Sequence, residues 1–190
     1  MAIVKHGITA NTPSNILLGA GAYFKGLKFE GNDWVGTVLG ATTGGGKVSI
    51  KGELMDLSLD GALVKFKGQT VKQGGVATFE INFAEANKDV LKMGTLFKEG
   101  ETDAFGFTML EDKATIESGD YIEDLGFVGY TADGTKKIIV IFENAICTSG
   151  VEIEPKDKEQ SVIKLTFEAA ADITSDLNKL PVKIYYPTAD

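Results

Sequence analysis

GGKVSIKGELMDLSLDGALVKFKGQTVKQGGVATFEINFAEANKDVLKMG, residues 45–94, decides the fold. Three strand-like alternations run into one short helical pattern. Val48, Ile50 and Leu54 share one face, and Lys47, Ser49, Lys51 and Glu53 share the other. At Leu54-Met55 the parity switches, and Met55, Leu57 and Leu59 carry it on. A one-residue slip flips every later side chain, so a bulge or bend is expected there. Asp60-Gly61 reads as a turn. Val64 and Phe66 alternate with Lys65 and Lys67, Gly74-Gly75 reads as the next turn, and Phe79, Ile81 and Phe83 follow. From about 84 to 93 the spacing becomes helical: Phe83, Ala86, Val90 and Leu91 fall near one stripe. Lys88 and Lys92 suit the C-terminal end of the helix dipole, and Gly94 suits a left-handed cap.

Outward from this stretch the chain stays β-like. Residues 1–15 read as an irregular N-terminal arm containing Pro13. Ile16 to Phe24 reads as a first strand bent at Gly19 and Gly21. Residues 25–47 are Gly-rich and hold the only tryptophan, Trp34. So long a connection is usually functional, and an assembly loop anchored by Trp34, Val35, Val38 and Leu39 is expected. The bland alternative is a strand or hairpin around 34–39. Further on, Phe105, Phe107 and Met109 alternate, and residues 121–130 and 136–144 flank an Asp133-Gly134 hairpin turn. Ile138 to Phe142 is apolar on both parities, which predicts a strand covered on both faces. Val151 and Ile153 alternate with Glu152 and Glu154. Ile163, Leu165, Phe167 and Ala169 form another inward face, and Val182 to Tyr186 closes the pattern. No linker divides the chain, so one domain over 1–190 is expected.

Composition narrows the functions. The 43% hydrophobic and 24% charged content is that of a globular chain. No apolar run reaches the length of a membrane-crossing helix, and the opening MAIVKHGITANTPSN lacks the charged head and apolar run of a secretory leader. Net charge is −8, and all 19 basic residues are lysine. Without arginine there is no bidentate fork for phosphate or guanine, which weakens any DNA-gripping role. Cys147 is alone and reads as a small buried hydrophobe. His6 is the only histidine, so His/Cys metal sites and a Cys–His nucleophile pair are not expected.

Two motifs are decoys. GATTGGGKVS has the outline of a phosphate loop, but Ala41 stands where the first glycine belongs and Val48 where the metal-binding hydroxyl belongs. Asp56, Ser58 and Asp60 alternate on one face without the spacing of a calcium loop. No catalytic, cofactor or metal residue is therefore assigned.

The chain resembles the tail tube (major tail) proteins of long-tailed bacteriophages. The resemblance lies in NILLGAGAYFKG, VSIKGELMDLSLDGALVKFKG, VATFEINFAEANKDVLK and KKIIVIFENAICTSGVEIEPKDKEQSVIKLTFEAAAD, and rests on element order and local phrasing rather than on a chemical signature. It implies a mainly β, sandwich or barrel-like core with one short flanking helix. It also implies hexameric rings stacked into a tube in the virion tail, contacts with other tail proteins, and passage of double-stranded DNA without tight binding. The acidic charge fits such a conduit. Asp56, Ser58, Asp60, Glu80 and Asn82 are candidate lumen residues, with Lys65 and Lys67 on the opposite assignment. A monomeric all-β carbohydrate- or surface-binding module is the alternative; it calls for exposed aromatics clustered on one face. A β-barrel hydrolase lacks a nucleophile–base pair beyond carboxylates.

Overall fold

The computed structural model describes residues 7–187. The fold is mainly β, with one α-helix, as the alternation predicts. The strands are β1 (Leu17–Glu30), β2 (Asp33–Val38), β3 (Thr42–Asp56), β4 (Thr70–Phe83), β5 (Lys98–Thr102), β6 (Thr108–Glu111), β7 (Ile122–Thr131), β8 (Lys137–Cys147), β9 (Ile163–Ala169) and β10 (Val182–Tyr185); the helix α1 is Lys88–Thr95. One antiparallel sheet runs β2-β1-β7-β8-β9-β4-β3. β10 joins β8 along Ile139 to Phe142, on the residues that β9 leaves when it pairs only with Ala145 to Cys147. β5 and β6 form a separate hairpin.

The sheet curls. Tyr23 of β1 meets Phe79 of β4 edge-on, with centroids 5.8 Å apart, although three strands separate them in the sheet. The curl is compatible with a barrel-like core, but no ladder joins β2 to β3, so both remain edge strands. Inside lie Tyr23, Phe79, Phe83, Phe142, Leu165 and Phe167, among others. A smaller cluster of Leu27, Val128, Ile139 and Ile141 packs on the opposite face of β7 and β8. This is the double coverage that the unbroken apolar run of β8 predicts. Gly126 makes room for it: a Cβ there would lie 2.2 Å from the Leu27 side chain.

Helix α1 plugs the main core with Val90, while Leu91, Met93 and Leu96 pack beside it. It begins later than expected because Asn87 caps it, its side chain accepting from the Val90 amide at 2.8 Å. The left-handed cap is Leu96, at φ 59°, and not Gly94. Gly94 is needed for close approach instead: a Cβ would lie 2.4 Å from Val151 Cγ2.

Other expectations are corrected. The stretch 25–47 is not a long loop. It comprises the end of β1, all of β2 and the start of β3, joined by tight turns. Its glycines serve bulges: the β1–β2 register slips between Lys25 and Lys28, and the β3–β4 register slips between Thr42 and Gly46. The hairpin alternative for 34–39 describes it better. Gly74-Gly75 is no turn but lies inside β4, opposite Glu53 and Gly52. The expected bulge near Leu54 is present, as a slip between Glu53 and Leu54. The 64–67 alternation forms no strand, and neither does that of Val151 to Glu154. Both have the period of a strand but no neighbouring strand to pair with.

Candidate assembly surface

β3 and β4 pair along their whole length, but β9 accompanies β4 only from Thr78 to Phe83. Residues 50–56 and 70–76 therefore leave the sheet as a two-stranded ribbon. The Leu180 side chain supports its root at Gly75. The tip, residues 57–69, has no regular structure yet is tied down. The Leu57 amide donates to Gln69 O at 2.9 Å, and Gln69 Nε2 donates back to Leu57 O at 2.8 Å. Lys65 Nζ donates to Asp56 at 2.7 Å, and Thr70 Oγ1 donates to the same carboxylate. Lys65 first, then Thr70, holds the Asp56 carboxyl below its ordinary range.

What this ribbon presents is apolar. Leu63 is 99% exposed and Val64 79%, and Leu54, Met55, Leu57, Leu59 and Phe66 are exposed with them. An isolated two-stranded ribbon is marginal in water, and a large apolar patch on a surface marks an interaction site. The reading of 64–67 as a strand concealed this. Alternation assigns a face, but only a partner sheet makes that face an interior.

The outer face of β3, β4 and β9 is polar. Glu80 sits between two lysines, 2.7 Å from Lys47 Nζ and 3.0 Å from Lys164 Nζ. Lys47 first, then Lys164, lowers its pKa. Asn82 Nδ2 donates to Gly45 O at 3.1 Å. Of the five candidate lumen residues, Glu80 and Asn82 belong to this face, while Ser58 and Asp60 lie in the ribbon tip with Lys65 and Lys67. Charges of both signs alternate, so neither region forms a wall of one sign.

The four expected interface residues are split. Leu39 is 4% exposed and lies in the chain's own core, so it is corrected from interface to interior. Trp34 is half-buried among its own neighbours, with ring centroids 5.5 Å from Phe29 and 4.7 Å from Tyr185. Val35 and Val38 are exposed on the edge strand β2. The Trp34 cluster borders an open groove of about 550 Å³ that also takes in Tyr186, Ile139 and Lys137.

Exposed aromatics recur at the β5–β6 tip, where Phe105 is 87% exposed and Phe107 73%. Phe79, Phe83, Phe127, Phe142 and Phe167 point inward, whereas Phe29, Phe66, Phe105 and Phe107 are exposed. A second groove, of about 420 Å³, lies between α1 and the start of β7, bordered by Lys25, Asp89, Lys92 and Asp120. Its charges are engaged in ion pairs: Lys25 with Asp89 at 3.2 Å, and Asp120 with Lys113 at 2.7 Å.

Among the described residues no group of three or more His, Cys, Asp or Glu is placed to hold a metal. Cys147 is buried and free, as expected. His6 lies outside the described residues. No described helix is long and apolar enough to cross a membrane. Comparison of the sequence with family models and with curated proteins finds no match.

Proposed function

We propose that this chain is a structural subunit that assembles with its own copies into rings and a tube, the role implied by its resemblance to phage tail tube proteins. The observation that carries the proposal is the apolar β3–β4 ribbon, which projects beyond the sheet without a third strand. A second copy would cover the ribbon tip and satisfy its open edges. The edge strand β2, with Val35 and Val38 outward, offers a further seam. A heterologous contact of this kind closes into a ring or propagates as a filament. No bond is made or broken in such a role, and DNA would pass a wall of mixed sign without being gripped.

The test is electron microscopy of concentrated protein beside a variant in which residues 58–68 are replaced by Asn-Gly. That dipeptide closes a two-residue hairpin between Leu57 and Gln69. The wild type is expected to form rings or tubes and the variant to remain a folded monomer. Unimpaired assembly of the variant would refute the role given to the ribbon.

The aromatic cluster of Phe29, Trp34, Tyr185 and Tyr186 favours a second reading, a carbohydrate-binding module. Its geometry argues against a sugar platform. Phe29 and Trp34 meet at 65° and Trp34 and Tyr185 at 64°, so their rings do not share a plane on which a pyranose could lie. Glycan-array binding by the monomer would restore that reading.

A further inference from the structure

We propose that the β5–β6 tip of one copy docks in the Trp34 groove of a second copy, as a knob into a hole. The inference rests on the assembly reading but concerns a different contact from the ribbon.

The knob is preorganised. The Asp103 carboxylate accepts from the Phe105 and Phe107 amides, both at 2.9 Å, and the Asp103 amide donates to Phe107 O at 2.9 Å. The turn is thus fixed with both rings in solvent, and little freedom remains to be lost on docking. The hole is apolar and open, floored by Ile139 and walled by Phe29, Trp34, Tyr185 and Tyr186. Aromatic side chains each bury roughly 150–250 Å², and they pair edge-to-face as well as stacked. A groove of about 550 Å³ suits a two-ring insertion of this kind.

Charge selects this occupant over the other apolar projection. From Lys98 to Lys113 the chain has five acidic residues (Glu99, Glu101, Asp103, Glu111 and Asp112) against two lysines, and Lys98 pairs with Glu111 at 3.2 Å, so the hairpin remains acidic. The groove carries Lys136 and Lys137 on its rim, with Asp33 beside Lys137 at 3.7 Å. The ribbon tip sets Asp56 and Asp60 against Lys65 and Lys67, with Lys65 paired to Asp56 at 2.7 Å, and offers the rim lysines no excess of negative charge.

Position makes the contact intermolecular. The hairpin is tied beside the start of β7, through Glu99 to Lys88 and Lys92 and through Lys113 to Asp120. The groove lies where β7 ends and β8 begins, near the pair Tyr130–Lys137. The ten residues of β7 separate the base of the hairpin from the groove by roughly 30 Å. No residue of the hairpin lines the groove of its own chain, and a knob of one copy in the groove of another is a head-to-tail contact.

Trp34, the only tryptophan, reports whether the groove is filled. As wild-type protein is concentrated through assembly, Trp34 emission is expected to shift to the blue and acrylamide quenching to fall. Phe105→Ser/Phe107→Ser, whose changes are both at exposed positions, is expected to fold normally by circular dichroism, to keep the monomer emission, and to need at least about tenfold more protein to assemble. Lys136→Glu/Lys137→Glu should lose assembly similarly, and adding Glu101→Lys/Asp112→Lys to the same chain should restore it. If the wild type forms tubes with Trp34 emission unchanged, or the serine variant assembles at wild-type concentration, this contact is overturned and the assembly reading stands. If the wild type stays monomeric at every concentration, both fall. Protection of Trp34 in the monomer by chitohexaose would give the groove to a sugar and overturn the knob.

Discussion

Phe79 of β4 and Phe142 of β8 stack with ring centroids 3.9 Å apart and planes inclined by 10°, although their strands do not pair. Tyr23 meets Phe79 edge-on, so one ring links the two sides of the curled sheet. All three side chains are fully buried. Phe142→Ala is expected to cost about 3–5 kcal/mol, since the transfer and cavity penalties add. A double-mutant cycle with Phe79→Ala should give a coupling of at least about 0.5 kcal/mol. Urea unfolding of the four proteins measures both. Additive losses would mean that the stack contributes only through the area it buries.

Gly46 and Gly52 stand on the same strand and should respond oppositely to alanine. A Cβ on Gly46 would lie 2.2 Å from the Tyr23 hydroxyl and 2.7 Å from the Glu80 carbonyl, and the carbonyl belongs to the paired backbone. Gly52 has nothing within 4 Å of such an atom. Gly46→Ala is expected to destabilise by about 1–3 kcal/mol. Gly52→Ala is expected to be neutral or to stabilise by up to about 1 kcal/mol, by restricting the unfolded chain. Thermal melts of the pair decide the matter, and equal effects would contradict it.

Asp124 sits in β7 with φ 46°, a conformation that side-chain-bearing residues seldom adopt, although asparagine tolerates it. Burial, the largest influence, raises its carboxyl pKa, with Lys183 opposing. A raised carboxyl pKa means that the folded state binds the proton more tightly than the unfolded chain. Ionised Asp124 therefore costs stability above the ordinary value of 3.8. Asp124→Asn removes that cost and keeps the backbone preference, so at pH 7 it should gain up to about 1 kcal/mol. Below pH 3 the gain should vanish. A stabilisation that persists unchanged into acid would assign the effect to the backbone alone.

Acid should act through the opposite sign at Asp120. Burial raises its pKa, but the Glu117 amide and the Lys113 ammonium outweigh this and leave it below 3.8. Its contribution is complete above that value and is lost as pH falls through the folded pKa. Asp120→Asn should therefore flatten the acid limb of a stability–pH curve. At the alkaline end, burial pushes the Tyr23 phenol to about 12 from 10.0. The unfolded chain ionises first, so stability should fall as pH rises between those values, and Tyr23→Phe should remove that component. A curve unchanged by Tyr23→Phe would count against the assignment.

Much of the fold is legible in the sequence where one strand has a buried face. Phe79, Ile81 and Phe83, and likewise Ile163, Leu165 and Phe167, alternate because half of each strand touches the core. The two-sided burial of Ile139 to Phe142 could be read from an unbroken apolar run. Legibility ends where alternation has no core behind it. Val64, Phe66 and Ile153 show the period of a strand and lie exposed. Glycines misled. Gly74-Gly75 and the cluster at 44–46 have the composition of turns, but a paired strand also tolerates glycine where a neighbour presses close or a bulge is needed. The Trp34 groove could not be read from sequence. It combines residues from β1, β2, β8 and β10 that only the sheet order brings together.

The split edge of β8 has a consequence for biosynthesis. Its Ile138 to Phe142 stretch, strongly apolar and β-branched, leaves the ribosome before β9 and β10 exist to cover that edge. Only β7, already made, can pair with it. During that interval the segment has the character of an aggregation-prone stretch. Lys136 and Lys137 precede it and Glu143 follows it, charges that keep nascent chains from zipping together. Glu143 later pairs with Lys183 of β10 at 2.8 Å, so the residue that guards the open edge becomes one that latches it shut.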